Sequence, residues 1–234
     1  MYLAKFISNS GVCSRRNAAL LVKSGDVTVD GITVMDPAYQ VQSGDFVVCD
    51  GKQVEMPRSK TYVLLNKPVG FITTMNDDLE RNTVLDLIDG ASESRIYPVG
   101  RLDVMTTGLL LMTDDGELAQ KLAHPKGNVR KLYEATLDLR LTYQDLGELK
   151  RGIMLEDGMA VADRVYHPRK GKNHVVRMEL HAGRTRIVRR MFKAVGYNVL
   201  KLDRIKYAGL GQERLKIGSW RRLTQHEILT LKSL

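Results

Sequence analysis

The N-terminal stretch carries two helical patterns followed by a hairpin pattern. Apolar residues at helical spacing predict a short helix over residues 2–9. A second helix is predicted over 15–24, since Ser14 is a preferred N-cap residue and Gly25 is typical of helix ends. The residues expected to face inward in that helix are Ala19, Leu20 and Val22. Alternating β-branched residues on both sides of Asp30-Gly31 then predict a β-hairpin.

A polar stretch around Pro57 indicates a domain boundary, and a larger mixture of strands and helices follows it. Apolar runs or alternation predict strands over 62–65, 96–99, 109–113, 131–137, 161–165, 175–180 and 200–205. Helical patterns predict helices over 117–123, 142–151, 184–195 and 224–231. Because no regular βαβ repeat is present, the expected fold class is α+β, with a mixed, largely antiparallel sheet flanked by helices. The two domains are expected to span residues 1–57 and 61–234.

Charge is distributed unevenly along the chain. The net charge is +9, but residues 164–222 hold 17 Lys and Arg against 3 Asp and Glu, a balance of +14, so the remainder sums to −5. We call residues 164–222 the basic segment. Such a concentration of positive charge favours a polyanion partner, usually nucleic acid, over a merely solvated surface or a membrane face. The segment has no amphipathic helix with a bulky apolar face, which further disfavours the membrane alternative.

Several functional classes lack their sequence signals. No apolar run approaches the ~20 residues needed to cross a bilayer, and the N-terminal residues do not resemble a signal peptide. Cys13 and Cys49 form no metal or disulfide pattern and are expected to be small core residues in a reducing cytosol. The histidines lack metal-ligand spacing, and phosphate-binding, dinucleotide-binding and serine-hydrolase motifs are missing. We therefore expect a cytoplasmic protein that uses no metal or cofactor and does not bind a membrane.

Asp103 is the candidate for chemistry without a cofactor. It lies in a short polar turn between the strands predicted over 96–99 and 109–113. Flanking strands can hold a carboxylate rigidly at a cleft, where it can act as a nucleophile or a base. The alternative is that Asp103 only stabilises the turn, as many loop aspartates do.

The N-terminal pattern resembles a known RNA-binding module. Two helices followed by a hairpin, with Gly11-Val-Cys-Ser-Arg-Arg16 and Gly25-Asp-Val-Thr-Val-Asp-Gly31, are similar to the S4-like RNA-binding domain. This resemblance implies that the basic residues of the two helices face RNA, and they are Lys5, Arg15, Arg16 and Lys23. Two arginines in the first turn of a helix oppose the helix dipole, which a phosphate partner would explain. Residues 1–60 nevertheless carry 7 basic and 6 acidic groups, so this module is not expected to be the main electrostatic anchor.

Four ordered motifs carry a second resemblance. They are Leu65-Asn-Lys-Pro-x-Gly70, Gly100-Arg-Leu-Asp103-x-x-Thr106-x-Gly108, Lys131-x-Tyr133 and Gly183-Arg-x-Arg-x-Val-Arg-Arg-Met-Phe192. Together they are very similar to the RsuA/RluB-type pseudouridine synthases, which isomerise uridine to pseudouridine in ribosomal RNA. With the N-terminal module, the resemblance covers essentially the whole chain.

The resemblance implies a role for each matching residue. Asp103 would be the catalytic carboxylate, kept ionised by pairing with Arg189, and Tyr133 would stack on a base that has left the RNA stack. Whether Asp103 attacks the sugar or abstracts a sugar proton stays open. The implied substrate-binding residues are Arg101, Thr106, Lys131 and Leu202, and the implied RNA-binding residues of the basic segment are Arg184, Arg186 and Arg190. Taken alone, Tyr133, Arg189 and Leu202 have ordinary structural alternatives, and Lys67-Pro68 either shapes the strand exit or serves the site.

Two positions depart from the family pattern. Met105 stands where the family usually has Asn or Asp, and Ile187 replaces a polar residue, so substrate fit is expected to differ. The expected partner is ribosomal RNA or a pre-ribosomal particle, bound by a monomer. The target is expected in 23S RNA of the large subunit, on the similarity of Ser14-Arg-Arg and Glu156-Asp-Gly158. The alternatives are the same reaction on 16S RNA and a non-catalytic RNA-binding or assembly factor.

Overall fold

The computed structural model describes residues 1–57, 59–92, 94–124, 127–169 and 173–234. The chain forms two compact units. The first comprises Met1–Tyr62, Gly90–Tyr97 and Thr113–Gly116, and the second comprises Val63–Asp89, Pro98–Met112 and Glu117–Leu234. The domain limits 1–57 and 61–234 remain a prediction.

The first unit combines two helices with a small antiparallel sheet. Its helices and strands are α1 (Leu3–Asn9), α2 (Arg15–Ser24), β1 (Val27–Val29), β2 (Ile32–Thr33), β3 (Val47–Cys49) and β4 (Lys52–Gln53). The strand order is β2-β1-β3-β4. The predicted ends of α2 are confirmed, since the Ser14 hydroxyl accepts a hydrogen bond from the Asn17 amide and Gly25 has a left-handed φ of 85°.

The inward face of α2 was predicted wrongly at one position. Ala18 and Val22, four residues apart, are fully buried, and Ala19 is half-buried against the same core. Leu20 is 60% exposed, because it lies on the opposite side of the helix. Arg16 and Lys23, which are four residues before and three residues after it, therefore share its face.

The rest of the chain supplies a larger sheet and four helices among the described residues. The strands are β5 (Tyr62–Lys67), β6 (Tyr97–Pro98), β7 (Thr107–Thr113), β8 (Lys131–Leu137), β9 (Ile153–Leu155), β10 (Gly158–Ala160), β11 (Arg164–Tyr166), β12 (Val175–Leu180), β13 (Val199–Tyr207), β14 (Leu210–Gly211) and β15 (Trp220–Arg222). The helices are α3 (Gly116–Ala123), α4 (Tyr143–Arg151), α5 (Ile187–Ala194) and α6 (Gln225–Ser233).

Nine strands of the described residues form one mixed sheet. Its order is β11-β12-β8-β13-β7-β5-β15, with β14 beside β13 and β6 beside β7. The β13–β7 pair is parallel, whereas β11–β12, β12–β8, β8–β13 and β5–β15 are antiparallel. The predicted α+β class with a mixed, largely antiparallel sheet is thus confirmed. β9 and β10 form a separate hairpin that the sequence patterns did not predict.

The central position of β13 brings residues from distant parts of the sequence together. This strand lies between β8 and β7, so Tyr133 on β8 faces Arg204 on β13 in register. A glycine is required where β7 passes β13: Gly108 has φ of 111°, and a Cβ there would come within 2.5 Å of backbone atoms of Arg204. The close approach of these two strands places the segment before β7 beside Leu202 and its neighbours.

Helix α5 begins later than the helical pattern indicated. The prediction placed its start at residue 184, but Arg186 adopts a left-handed conformation with φ of 50°, and the helix starts at Ile187. A left-handed residue cannot continue a right-handed helix, so residues 184–186 form the turn that precedes it. The buried face of α5 consists of Ile187, Val188, Met191 and Phe192.

Candidate active site

The loop that carries Asp103 is tied to the protein through its backbone. The amide of Leu102 donates to the hydroxyl of buried Thr73 at 3.2 Å, and that hydroxyl donates to the Leu102 carbonyl at 2.8 Å. The Thr106 amide donates to the Asp103 carbonyl at 3.0 Å, which closes the turn. The side chain of Asp103 is exposed while its backbone is held, and this arrangement suits a reacting carboxylate.

Lys67 lies beneath this loop and is fully buried. Its Nζ donates to the carbonyls of Thr106 at 2.9 Å, Pro68 at 2.8 Å and Val104 at 3.5 Å. Burial lowers the pKa of Lys67 to about 8, and the charge of Asp103 acts in the opposite direction. The sequence left the role of Lys67 open, although a lysine at the end of an apolar strand was a usable signal.

Arg189 holds the same loop from the other side. Its Nη1 donates to the Val199 carbonyl at 2.7 Å and its Nη2 to the Met105 carbonyl at 3.1 Å. The expected salt bridge between Arg189 and Asp103 is not formed among the described residues. Burial and then the charge of Arg186 lower the pKa of Arg189, and Asp103 opposes both effects through space. Arg189 therefore positions the loop and lies close enough to influence Asp103 without a direct bond.

A cavity of about 260 Å³ opens beside Asp103. It brings together residues that the sequence predicted as catalytic or substrate-binding, namely Arg101, Asp103, Thr106, Lys131, Tyr133 and Leu202. Lys131 and Tyr133 are two residues apart on β8 and so face the same side of the sheet. Tyr133 is half-buried and Leu202 is 5% exposed, so the wall offers a ring and an aliphatic side chain to a flat ligand.

Two cations form a further part of this wall. The Nζ of Lys131 donates to the His181 carbonyl at 2.8 Å, and burial followed by the charge of Arg204 lowers the pKa of Lys131 to about 8. Arg204 is 2% exposed, donates through Nε to the Leu109 carbonyl at 2.7 Å, and lies 4.7 Å from the ring centroid of Tyr207. Burial raises the pKa of Tyr207 to about 12, so this phenol is neutral. The sequence motifs gave no role to Arg204.

A second, larger cavity of about 940 Å³ also borders the Asp103 loop. Val104, Met105 and Arg189 line this cavity alone, whereas Arg101, Leu102, Asp103 and Arg186 line both. Arg186 is exposed and, among the described residues, has no hydrogen bond or ion pair to its side chain. The Asp103 loop therefore forms part of the wall of both cavities.

Two of the arginines predicted to bind RNA are engaged within the protein. Arg184 bonds to the Asp157 carboxylate at 3.0 Å and to backbone carbonyls of residues 157–159, which form the turn and start of the β9–β10 hairpin. Arg190 bonds to the other oxygen of Asp157 at 2.8 Å. These two side chains stabilise the hairpin, and Arg186 is the member of the predicted trio that stays open to a ligand.

The predicted RNA-binding residues of the first unit lie on its helices. Arg15, Arg16 and Lys23 are exposed on α2, and Lys5 is half-buried on α1. No acidic side chain lies in the first turn of α2, so its amide groups and arginines present an uncompensated positive end. Arg16, Leu20 and Lys23 form a face with two cations around one apolar side chain.

No metal site is found within the described ranges: no group of three or more His, Cys, Asp or Glu side chains is arranged to hold an ion. Cys13 and Cys49 are free thiols. In the same part of the chain, every helix is too short or too polar to cross a membrane.

Two family models match this chain. The RNA pseudouridylate synthase model matches residues 61–194, and the S4 domain model matches residues 1–47. The chain therefore belongs to the RNA pseudouridylate synthase family and carries an N-terminal S4 domain, which confirms both resemblances read from the motifs. It is a pseudouridine synthase, an isomerase that acts on RNA.

Individual relatives and one solved structure agree with this assignment. The ribosomal large subunit pseudouridine synthase B of Bacillus subtilis (strain 168) is 41% identical, over 99% of this chain and 96% of the relative. The dual-specificity RNA pseudouridine synthase RluF of Escherichia coli (strain K12) is 33% identical, over 99% of this chain and 78% of the relative. The crystal structure of a pseudouridylate synthase superposes with a TM-score of 0.71 at 29% identity and covers 99% of both chains.

Proposed function

We propose that this enzyme converts one uridine of large-subunit ribosomal RNA to pseudouridine, with Asp103 as the catalytic carboxylate and without a cofactor. The observation that carries the proposal is an exposed carboxylate on a loop of fixed backbone, at the mouth of a cavity that also contains Tyr133 and Leu202. The similarity to a large-subunit pseudouridine synthase supports the choice of RNA.

The reaction breaks the bond between N1 of uracil and C1′ of ribose, turns the base, and joins C5 to C1′. The hydrogen lost from C5 is balanced by the one gained at N1, so no atom is added or removed. Asp103 serves either by attacking C1′ or by taking a sugar proton, and both routes need the carboxylate ionised. Because its backbone is already fixed, little further ordering is needed when the substrate arrives.

The cavity walls provide for a free base. Tyr133 stacks on the uracil ring and Leu202 packs against it, while the target nucleotide is out of the RNA stack. Lys131 and Arg204 present positive charge to the uracil carbonyl oxygens, which suits a base that carries negative charge while it is detached. Thr106 supports Asp103 by closing the turn, and Arg101 contacts the RNA at the shared rim of the two cavities.

RNA binding outside the cavity is assigned to exposed cations. The exposed ones are Arg15, Arg16 and Lys23 on α2 and Arg186 before α5, and half-buried Lys5 on α1 is proposed to join them. The enzyme is proposed to act in the cytoplasm on ribosomal RNA or a pre-ribosomal particle. A monomer is proposed because one chain supplies every residue of the candidate site.

The test compares Asp103→Asn with the wild-type enzyme in cells that lack the gene. Mapping of pseudouridines in ribosomal RNA is expected to show one position that wild-type protein restores and Asp103→Asn does not. The purified variant should keep its RNA affinity within about twofold, because the substitution changes neither shape nor an RNA-facing cation. Asp89→Asn is the matched control, since Asp89 is exposed and lines neither cavity.

The same map of pseudouridines distinguishes the large-subunit target from a small-subunit target and from a non-catalytic role. A restored position in small-subunit RNA would replace the large-subunit target, and turnover by Asp103→Asn would remove Asp103 from the mechanism. If no position depended on the gene while the protein still bound RNA, a non-catalytic factor would be the better description.

A further inference from the structure

We propose that the second cavity binds a second nucleotide of the same RNA, next to the target uridine, with its base against Val104 and Met105. This inference rests on the proposed function, since it assumes that the target uridine occupies the smaller cavity. It assigns part of the choice of target to the second cavity, where no bond of the proposed reaction is made or broken.

The two cavities are arranged for neighbouring parts of one strand. Asp103 and Arg101 line both, so the two cavities adjoin at these residues. Successive nucleotides of an unstacked strand have bases that can point in different directions, so neighbouring bases can enter two adjoining cavities. The volume of about 940 Å³ exceeds that of the smaller cavity, about 260 Å³, so a whole nucleotide has room beside the loop.

The Asp103 loop exposes two apolar side chains to water, which is unfavourable unless a ligand covers them. Met105 is 60% exposed and Val104 is 43% exposed, and both line the second cavity. Their carbonyls are held by Arg189 at 3.1 Å and by the Gly70 amide at 2.9 Å, so their backbone is fixed before any ligand binds. A flat base is a ligand that removes such side chains from water, and a thioether adapts well to a ring.

The charge of the cavity suits one phosphate. Arg101, Arg186 and Arg189 contribute three positive charges, whereas Asp103 and Glu80 contribute two negative charges. The remaining cation of the lining, Arg81, is already paired with Asp77. Of these three arginines, Arg189 is bonded to two backbone carbonyls, whereas Arg101 and Arg186 are exposed and have no side-chain bond within the described ranges, so these two are available for a phosphate oxygen.

A polar residue at the rim is placed to distinguish bases. The side-chain amide of Asn82 lines the second cavity and makes no hydrogen bond among the described residues. An amide both donates and accepts, so it can pair with a base edge, whereas the Met105 surface would accept any base. Contact with Met105 would give affinity for a base, and contact with Asn82 would give preference for one base over the others.

The experiment uses a synthetic RNA hairpin that carries the mapped uridine, and two copies in which the nucleotide on its 5′ or 3′ side is abasic. Wild-type enzyme is expected to show a KM raised about tenfold for one abasic RNA, with kcat within about twofold. Met105→Ala should raise KM by a similar factor on intact RNA, yet cause little further loss on that abasic RNA. Leu229→Ala is the matched control, because Leu229 is 56% exposed and lines neither cavity.

Each outcome decides the question. The subsite would be overturned if the increases in KM from Met105→Ala and from the abasic site multiplied when combined, or if neither abasic site changed KM. Either result would leave the proposed reaction intact. Arg186→Gln should also lower the salt dependence of binding by about one phosphate contact, and an unchanged slope would remove Arg186 from the subsite. If the wild-type enzyme modified no uridine at all, the proposed function would fail, and the subsite with it.

Discussion

Lys67 has no exposed surface, yet it places a cation within hydrogen-bond distance of the loop that carries Asp103. Burying an ammonium group is costly unless its donors are satisfied, and here three carbonyls satisfy them. The cation therefore contributes more to the position of the loop than to the stability of the domain.

Replacement of Lys67 by Met tests whether the lysine positions the loop more than it stabilises the domain. We expect kcat to fall about 100-fold, because an unsupported Thr106 carbonyl lets the loop shift, while RNA affinity stays within about threefold. Kinetics on the mapped substrate and RNA titration measure the two effects. Lys216→Met, at an exposed lysine that lines neither cavity, should leave both unchanged, and wild-type turnover by Lys67→Met would show that the loop is held by its other bonds.

The lowered pKa of Lys131 predicts a pH-dependent affinity. As pH rises through about 8, Lys131 loses its charge in the folded protein and RNA binding should weaken. Titration of Asp103→Asn enzyme over this range measures the effect without turnover, and adding Lys131→Arg should move the decline to higher pH. The unfolded chain keeps this proton up to about 10.5, so this group stabilises folding more as pH rises from 8 to 10.5, and the decline is not caused by unfolding.

The starts of three helices were predicted well from sequence. Ser14, Thr142 and Thr224 each cap a helix at or next to its predicted start, because a capping bond is local. The start of α5 and the β9–β10 hairpin were not predictable in this way. The hairpin has short strands without alternation and is held by Arg184 and Arg190, which lie 27 and 33 positions after Asp157 in the sequence.

The capping box of α6 gives a stability prediction. Glu227 accepts from the Thr224 amide at 2.8 Å and pairs with Arg221 at 2.6 Å, and these bonds lower its pKa to about 2. Glu227→Gln should reduce the free energy of unfolding by about 1 kcal/mol at neutral pH. A carboxylate with a lowered pKa stabilises the fold above its unfolded pKa of 4.5, so the difference should vanish as pH falls from 4.5 to about 2. Denaturant titrations of both proteins, in a pH series, measure it; a constant difference would point to packing.

On the scale of the whole molecule, the charge of the sequence overstates what is open to RNA. Several arginines of the basic segment are committed inside the protein: Arg177 to Glu134, Arg184 and Arg190 to Asp157, Arg221 to Glu227, and Arg204 within the core. Composition and motif order were sufficient for the fold class and for six residues that line the smaller cavity, but they gave no role to Arg204 in its wall. They could not show which cations are paired, since pairing depends on contacts between distant segments.

The salt dependence of RNA binding distinguishes arginines and lysines that contact RNA from those that are paired within the protein. Arg16→Ala and Lys23→Ala should each reduce the slope of log affinity against log salt by about one phosphate contact. Arg190→Ala should leave the slope nearly unchanged, because its guanidinium is already bonded to Asp157. A slope that fell equally for all three variants would mean that the internal pair opens when RNA binds.

The bonds that hold the Asp103 loop end on its backbone, at the carbonyl oxygens of residues 102–106 and at the amide of Leu102. The side chains at positions 104 and 105 can therefore be exchanged without disturbing the placement of the aspartate at 103. With the second cavity binding a neighbouring nucleotide as proposed, one substitution at these positions would give the same scaffold a new sequence preference and leave the proposed reaction at Asp103 unchanged. In this short turn, two positions that can be substituted directly follow the aspartate that the proposed reaction requires.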